Sequence, residues 1–128
     1  MKKVLLLILF LFLLTACGQY TEHQQEVAYM NITAQEAKSI MDSQEGYVIL
    51  DVREQHEYDE SHIPGAVLLP LGDVEEKAHE ILLDKDQQIL VYCRSGRRSK
   101  EAAQALVELG YTNIKEFGGI IDWPYEVE

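Results

Sequence analysis

The chain has little positive charge, few cysteines and no repeated or low-complexity tract. Its 128 residues carry 11 Lys and Arg against 22 Asp and Glu, a net charge of −11, which argues against nucleic-acid binding. The two cysteines form no C-x-x-C metal pattern. We expect neither a metal nor another cofactor. This length suits one domain with a moderate core, which we expect to be monomeric.

The longest apolar run is also too short to cross a membrane as a helix. Val4 to Leu14 has 11 residues, whereas a hydrocarbon core of about 30 Å needs about 20. Lys2-Lys3 precedes this run, and Leu14 to Cys17 (LTAC) resembles a bacterial lipobox. Residues 1–16 are therefore predicted to be a lipoprotein signal peptide, with Cys17 as the lipidated residue.

The predicted leader implies a location outside the cytoplasm. Two or more acyl chains, palmitate among them, would hold the protein at a membrane surface. We expect it to be anchored to the outer face of the bacterial cytoplasmic membrane, or on the periplasmic side. Residues 17–30 are then the lipidated cysteine and a polar tether, and residues 31–128 the folded domain. The alternative is an ordinary cleaved signal peptide with an incidental cysteine.

Cys93 would remain as an unpaired thiol where structural cysteines usually form disulfides. It follows the apolar run Gln88 to Tyr92 and precedes the helical pattern of Ser99 to Leu109, which places it at a strand-to-helix junction. Such junctions lie at the carboxyl edge of an α/β sheet, where ligands bind. The alternative is a strand-end cysteine buried as a small hydrophobe.

The turn after Cys93 has the features of an anion-binding cup. Amide groups at a helix N-terminus and the helix dipole favour negative charge there. Gly96 permits a backbone conformation that a side chain would hinder, while Arg94, Arg97 and Arg98 add positive charge. Both effects favour the thiolate, which is the nucleophilic form of cysteine.

The loop Cys93 to Ser99 (CRSGRRS) resembles the active-site loop of rhodaneses, the thiosulfate sulfurtransferases. Three further stretches are similar to rhodanese motifs and occur in the same order: Asp51 to Glu54 (DVRE), His62 to Ala66 (HIPGA), and Gly118-Gly119 followed by Trp123. The resemblance implies that Cys93 is catalytic and becomes a persulfide. It also implies that the loop binds substrate through the residues Arg94, Ser95, Gly96, Arg97, Arg98 and Ser99.

Loop length bears on the type of reaction. Cys93 to Arg98 spans six residues, as in the sulfurtransferases, whereas the related phosphatases and arsenate reductases have one more. A smaller ring suits a terminal sulfur better than a tetrahedral oxyanion. The expected function is therefore transfer of a sulfane sulfur from thiosulfate or a similar anionic donor to cyanide or a thiol. A non-enzymatic persulfide carrier is the alternative, and a phosphatase or arsenate reductase is disfavoured.

Asp51 and His62 are the other candidate site residues. Asp51 ends the apolar run that begins at Tyr47, and a buried carboxylate there needs a cationic partner. The candidates are Arg53 and the loop arginines, with Arg98 facing either Asp51 or the substrate. The resemblance assigns Asp51 and Arg53 to structural support of the loop. For His62 we favour a hydrogen bond within its own turn over a role as general base.

Short apolar strands alternate with helical segments, which predicts an α/β fold with a parallel sheet covered on both faces. The resemblance implies about five strands.

Thr33 and Glu36 form a capping-box pattern before a helix predicted over 34–41. A second helix lies within 72–83, and residues 113–117 are predicted to form an edge strand. Inward positions in the second helix are predicted to be Val74, Ala78, Ile81 and Leu82, and Trp123 and Tyr125 are expected to cover the core.

Overall fold

The alternating strands and helices form one parallel sheet. The computed structural model describes residues 29–128, so the predicted signal peptide, Cys17 and most of the predicted tether lie outside the described residues. In chain order the strands are β1 (Tyr29–Asn31), β2 (Tyr47–Asp51), β3 (Val67–Leu68), β4 (Gln88–Cys93) and β5 (Ile114–Gly119). The helices are α1 (Ala34–Ser43), α2 (Gln55–Glu60), α3 (Val74–Ile81) and α4 (Arg97–Glu108).

The five strands lie in the order β1-β5-β4-β2-β3, and every adjacent pair is parallel. Two hydrophobic clusters cover the two faces. One contains residues of α3 and α4, among them Val74, Ala78, Ala102 and Leu106, and the other contains Ala37 of α1 and Trp123. The predicted α/β fold with helices on both faces is confirmed. This topology brings the carboxyl ends of β2, β4 and β5 to a single edge, where the candidate site lies.

The prediction that residues 113–117 form an edge strand is wrong. β5 pairs with β4 on one side and with β1 on the other, so it lies inside the sheet. The edge strand on that side of the sheet is β1, in which Tyr29 and Met30, residues assigned to the tether, pair with Ile114 and Lys115. Three residues are too few to show a period of two, and the sequence pattern therefore gave no sign of β1.

The boundaries of the helices follow local signals. Thr33 Oγ1 accepts a hydrogen bond from the Glu36 amide at 3.1 Å, and a Glu36 carboxylate oxygen accepts one from the Thr33 amide at 2.7 Å, which confirms the capping box. The inward position predicted for Ile81 is wrong: this last residue of α3 is 38 % exposed, while Val74, Ala78 and Leu82 are buried. The buried residues are spaced four apart, and this places Ile81 beside their stripe.

The C-terminal aromatic residues cover the core, as predicted. Trp123 is 9 % exposed, and its ring centroid lies 5.5 Å from that of Phe117 and 4.9 Å from that of Tyr125. These tilted and edge-on contacts are the geometries that aromatic pairs prefer. Within residues 29–128, no helix is both long and apolar enough to span a bilayer.

Candidate active site

Cys93 is the last residue of β4, and the chain turns there into α4. The residue is 1 % exposed, yet its sulfur has polar neighbours. The Gly96 amide donates a hydrogen bond to Cys93 Sγ at 3.0 Å, and Sγ lies 3.3 Å from Ser99 Oγ. Gly96 has φ +106°, a left-handed conformation that side chains rarely adopt, and this explains the glycine at the start of α4. The cysteine is thus buried in a polar turn.

The loop arginines have different surroundings. Arg94 and Arg97 are exposed at the rim of the loop, and Arg97 Nη1 donates to Glu101 Oε1 at 3.0 Å. Arg98 is half-buried and forms a bidentate pair with Glu57 of α2, at 2.7 and 2.8 Å. Arg98 therefore does not pair with Asp51, which was one of the two orientations considered. Its contact joins the start of α4 to α2.

This ion pair changes the acidity of Glu57. Hydrogen bonds from the Arg98 guanidinium, opposed by partial burial, lower the pKa of Glu57 to about 2. Glu57 is consequently ionised through the neutral range, and Arg98 stays positively charged beside the loop.

Asp51 is held by Arg53 and Tyr92 at the end of β2. Arg53 Nε and Nη2 donate to the Asp51 carboxylate at 3.0 and 2.7 Å, and the Tyr92 hydroxyl donates to it at 2.7 Å. Burial and the hydrogen bond to Asp51 raise the pKa of Tyr92, so its hydroxyl stays a donor. Arg53 also donates to the Ser61 carbonyl at 2.7 Å. These contacts join β2, β4 and the segment after α2, and so fix the framework behind the loop.

Glu116 is a buried carboxylate that the sequence reasoning missed. It lies on β5, is 2 % exposed, and its Oε1 accepts from Ser99 Oγ at 2.6 Å and from the Gly118 amide at 2.8 Å. No sequence motif assigned a role to this glutamate. Residues two apart in a strand share a face, so its spacing from the buried Ile114 was the available signal.

The two glycines after Phe117 let the loop and β5 approach closely. A Cβ on Gly119 would lie 2.0 Å from the Arg94 carbonyl oxygen and 2.6 Å from the Ser95 Cα, so no side chain fits. The Ile121 amide donates to the same Arg94 oxygen at 3.2 Å. The register between β4 and β5 shifts between Val91 and Cys93. β5 thus supports the base of the loop directly.

His62 makes the local contacts that the sequence reasoning favoured. Its Nδ1 lies 2.9 Å from the Tyr58 carbonyl, and its ring stacks on Tyr58 with centroids 3.8 Å apart. Its Nε2 lies 3.3 Å from Glu128 Oε1. Among the described contacts of His62, none joins it to Cys93 or to the loop.

Comparison with known proteins agrees with this geometry. Residues 33–124 match the family model described as the rhodanese-like domain. The chain belongs to that family. It is 41 % identical over 110 residues to YrkF, a proposed sulfur carrier protein of Bacillus subtilis; the match covers 84 % of this chain but only 58 % of that relative. The thiosulfate sulfurtransferase PspE of Escherichia coli is 38 % identical over 73 residues, covering 57 % of this chain and 70 % of that protein.

A solved structure supports the same assignment. The crystal structure of a rhodanese-related protein from Thermoplasma volcanium superposes with a TM-score of 0.68 at 31 % identity, covering 78 % of this chain and 98 % of that one. The rhodanese-like chain described here therefore has the fold as well as the sequence of the family. Its relatives include sulfurtransferases, and a single cysteine, Cys93, ends the strand next to the candidate loop.

Proposed function

We propose that this rhodanese-like protein is a sulfurtransferase whose Cys93 carries the transferred sulfur as a persulfide. The observation that carries the proposal is the polar turn around the sulfur: the Gly96 amide points at Cys93 Sγ from 3.0 Å at the start of a helix. An inward amide and a helix N-terminus stabilise negative charge on a sulfur atom.

The proposed reaction has two steps. The Cys93 thiolate attacks the outer sulfur of thiosulfate; a new S–S bond forms, the S–S bond of thiosulfate breaks, and sulfite leaves with the electron pair. Cyanide or a thiolate then attacks the terminal sulfur of the persulfide and takes it as thiocyanate or a new persulfide, while the Cys93 thiolate leaves. No cofactor takes part. The amides of the loop from Arg94 to Ser99 would hold the charged terminal sulfur.

Charge at the rim supports an anionic donor. Arg94 and Arg97 are exposed on either side of Gly96, on a chain whose net charge is −11. A local positive site on an acidic surface attracts a small anion to the loop. Asp51 and Arg53 support the loop indirectly, through the framework of β2 and β4.

Mass spectrometry of the intact protein tests the proposal. After treatment with thiosulfate and removal of excess reagent, the wild type should gain the mass of one sulfur atom, and cyanide should remove it. The Cys93→Ser variant should gain nothing. A wild type that stays unmodified, or a Cys93→Ser variant that gains the same mass, would overturn the proposed persulfide.

A persulfide carrier is the second candidate, because one relative is a proposed sulfur carrier. A carrier would form the same persulfide but would release it only to a partner protein. Steady-state production of thiocyanate from thiosulfate and cyanide separates the two: an enzyme turns over many times, whereas a carrier without its partner protein gives no sustained production. Release of phosphate from a phosphate ester would instead indicate phosphatase chemistry, which the six-residue loop disfavours.

We further propose that the protein is exported and is lipid-anchored through Cys17, as a monomer. The support is the pattern of Lys2-Lys3, the apolar run that follows and the LTAC stretch. Metabolic labelling with palmitate in a bacterial host should mark the wild type and leave a Cys17→Ser variant unlabelled. Equal labelling of both proteins would contradict the anchor.

A further inference from the structure

The polar contacts behind Cys93 form a directed chain. Ser99 has one hydroxyl hydrogen and three acceptors within reach: Glu116 Oε1 at 2.6 Å, the Gly96 carbonyl at 3.0 Å and the Gly118 carbonyl at 3.4 Å. The shortest contact is to the carboxylate, which is also the strongest acceptor. Ser99 therefore donates its hydroxyl hydrogen to Glu116 Oε1. A lone pair of Ser99 Oγ is left to accept a hydrogen bond from the thiol of Cys93.

We propose that Glu116 takes up the proton of the Cys93 thiol through the hydroxyl of Ser99. The S–H bond breaks as a bond forms to Ser99 Oγ, and the original Ser99 hydrogen moves to Glu116 Oε1. The products are a thiolate, an intact serine hydroxyl that now donates to the sulfur, and a neutral carboxyl group. One proton has moved, and no atom or electron is unaccounted for. Glu116 touches no substrate, so it is a positioning residue.

Burial of the three residues favours transfer of the proton within the cluster. Cys93, Ser99 and Glu116 are all at most 2 % exposed, and the Cys93 thiol donates its hydrogen bond to Ser99 Oγ. A second negative charge next to a buried carboxylate would be costly, whereas moving the proton keeps a single negative charge in the cluster. In the proposed arrangement Cys93 and Glu116 share one proton.

The other charged groups around the sulfur do not change charge at neutral pH. Arg98 faces Cys93 from α4 and is paired with Glu57 of α2, whose pKa is about 2. Arg94 and Arg97 lie at the rim of the loop. On the strands that flank Glu116, Asn31 and Val91 are its register partners, and neither ionises. The Cys93–Glu116 pair is thus the group to follow between pH 6 and 8.

The rate of alkylation of Cys93 by iodoacetamide, measured against pH, tests the proposal on the folded chain. The proton transfer would serve the proposed function and rests on it, but the alkylation assay uses no sulfur donor and so tests the transfer separately. In the wild type the proton stays inside the cluster, so the rate should change by less than about threefold from pH 6 to 8. In Glu116→Gln the proton must leave to solvent, and the rate should rise about tenfold per pH unit while the thiol is mostly protonated.

Two further variants make the test specific. Ser99→Ala breaks the chain in the middle and should give the same steep profile as Glu116→Gln. Glu76→Gln removes an exposed carboxylate of α3 and should keep the wild-type profile. Retained near-ultraviolet circular dichroism shows that a variant is folded. Either Glu116→Gln or Ser99→Ala, if folded, suffices for the comparison with the wild type.

The results separate the possible roles of Glu116. A fixed negative charge would only oppose the thiolate, so Glu116→Gln would then react faster at pH 6; that result, or a profile equal to the wild type in the folded variants, overturns the proposal. If the predicted profiles appear but thiosulfate adds no sulfur to the wild type, the proton transfer stands and the proposed sulfurtransferase activity falls.

Discussion

Two buried carboxylates lie at the same edge of the sheet, and they differ in what surrounds them. Asp51 pairs with the guanidinium of Arg53, while the hydrogen-bond donors to Glu116 are the hydroxyl of Ser99 and the amide of Gly118. A carboxylate beside a cation stays charged, whereas one held by neutral donors next to a thiol can accept a proton. Burial alone therefore does not define the role of an acid; its partners do.

The largest effect on stability is expected at Asp51. Asp51→Asn leaves the Arg53 guanidinium, which is 4 % exposed, without its counter-charge. Leaving one member of a buried ion pair uncompensated costs about 3–5 kcal/mol of the free energy of unfolding. Urea denaturation of the variant beside the wild type measures this loss.

Two controls sharpen that experiment. Asp42→Asn removes an exposed carboxylate, 60 % accessible, from its pair with Lys38 and should change the free energy of unfolding far less than Asp51→Asn does. Glu116→Gln leaves no buried cation behind and should be less destabilising than Asp51→Asn. If instead Asp51→Asn changed the pH profile of Cys93 alkylation as Glu116→Gln is expected to do, the contrast between the two carboxylates would be wrong.

The next effect concerns the support of the loop by β5. Gly119→Ala places a methyl group against the backbone of Arg94 and Ser95, so the loop must move away. Such overpacking lowers the free energy of unfolding by about 1–3 kcal/mol. The movement of the loop also displaces the Gly96 amide from Cys93 Sγ, so persulfide formation should slow even where the variant is folded. Gly72→Ala is the matched control, because a Cβ there meets nothing within 4 Å. Full activity in Gly119→Ala would contradict the close approach.

A smaller effect is expected when Glu57→Gln removes the partner of Arg98. The pKa of Glu57 is lower in the folded state, about 2, than its ordinary value of 4.5. The ion pair therefore stabilises the fold above pH 4.5, and this contribution is lost as the pH falls towards 2. The side chains are 20 % and 16 % exposed, so we expect about 1–2 kcal/mol at pH 7.

Measuring the free energy of unfolding of the wild type and of Glu57→Gln at several pH values checks this prediction. The difference between the two proteins should shrink as the pH falls from 4.5 through the folded-state pKa of about 2. A difference that did not depend on pH would show that packing, not charge, accounts for the effect.

The smallest structural change is at the rim. Arg94→Gln and Arg97→Gln alter exposed side chains, so the free energy of unfolding should change by less than about 0.5 kcal/mol. Capture of thiosulfate should nevertheless slow, and the salt dependence of its second-order rate should flatten. Lys77→Gln, exposed on α3, should leave both unchanged. A wild-type rate that does not fall as salt increases would contradict attraction by these arginines.

The sequence predicted the parts of this molecule that depend on local patterns. The capping box at Thr33, the strand ending at Asp51 and the junction at Cys93 all follow from periodicity and from the residues that end each element. β1 and the interior position of β5 did not follow, because strand order depends on contacts between distant segments.

The pairing of side chains from different segments was predicted less well than the boundaries of the strands and helices. Arg53 was one of several candidates for Asp51, and sequence could not choose among cations at the same edge. The pairing of Arg98 with Glu57 was missed, since α2 reads only as a charged segment. Glu116 was missed because residues 113–117 were interpreted as an edge strand, whereas β5 pairs with β1 and with β4.

The close contact of Gly119 with the backbone of Arg94 has a consequence for how the protein is made. The groups that form the polar contacts behind the sulfur and the base of the loop, Ser99, Glu116 and Gly119, all follow Cys93 in the chain. During synthesis the cysteine emerges before them, and the hydrogen bond from Ser99 to Glu116 forms only once β5 has inserted between β1 and β4. Completion of the sheet and assembly of the polar contacts behind Cys93 are therefore one event.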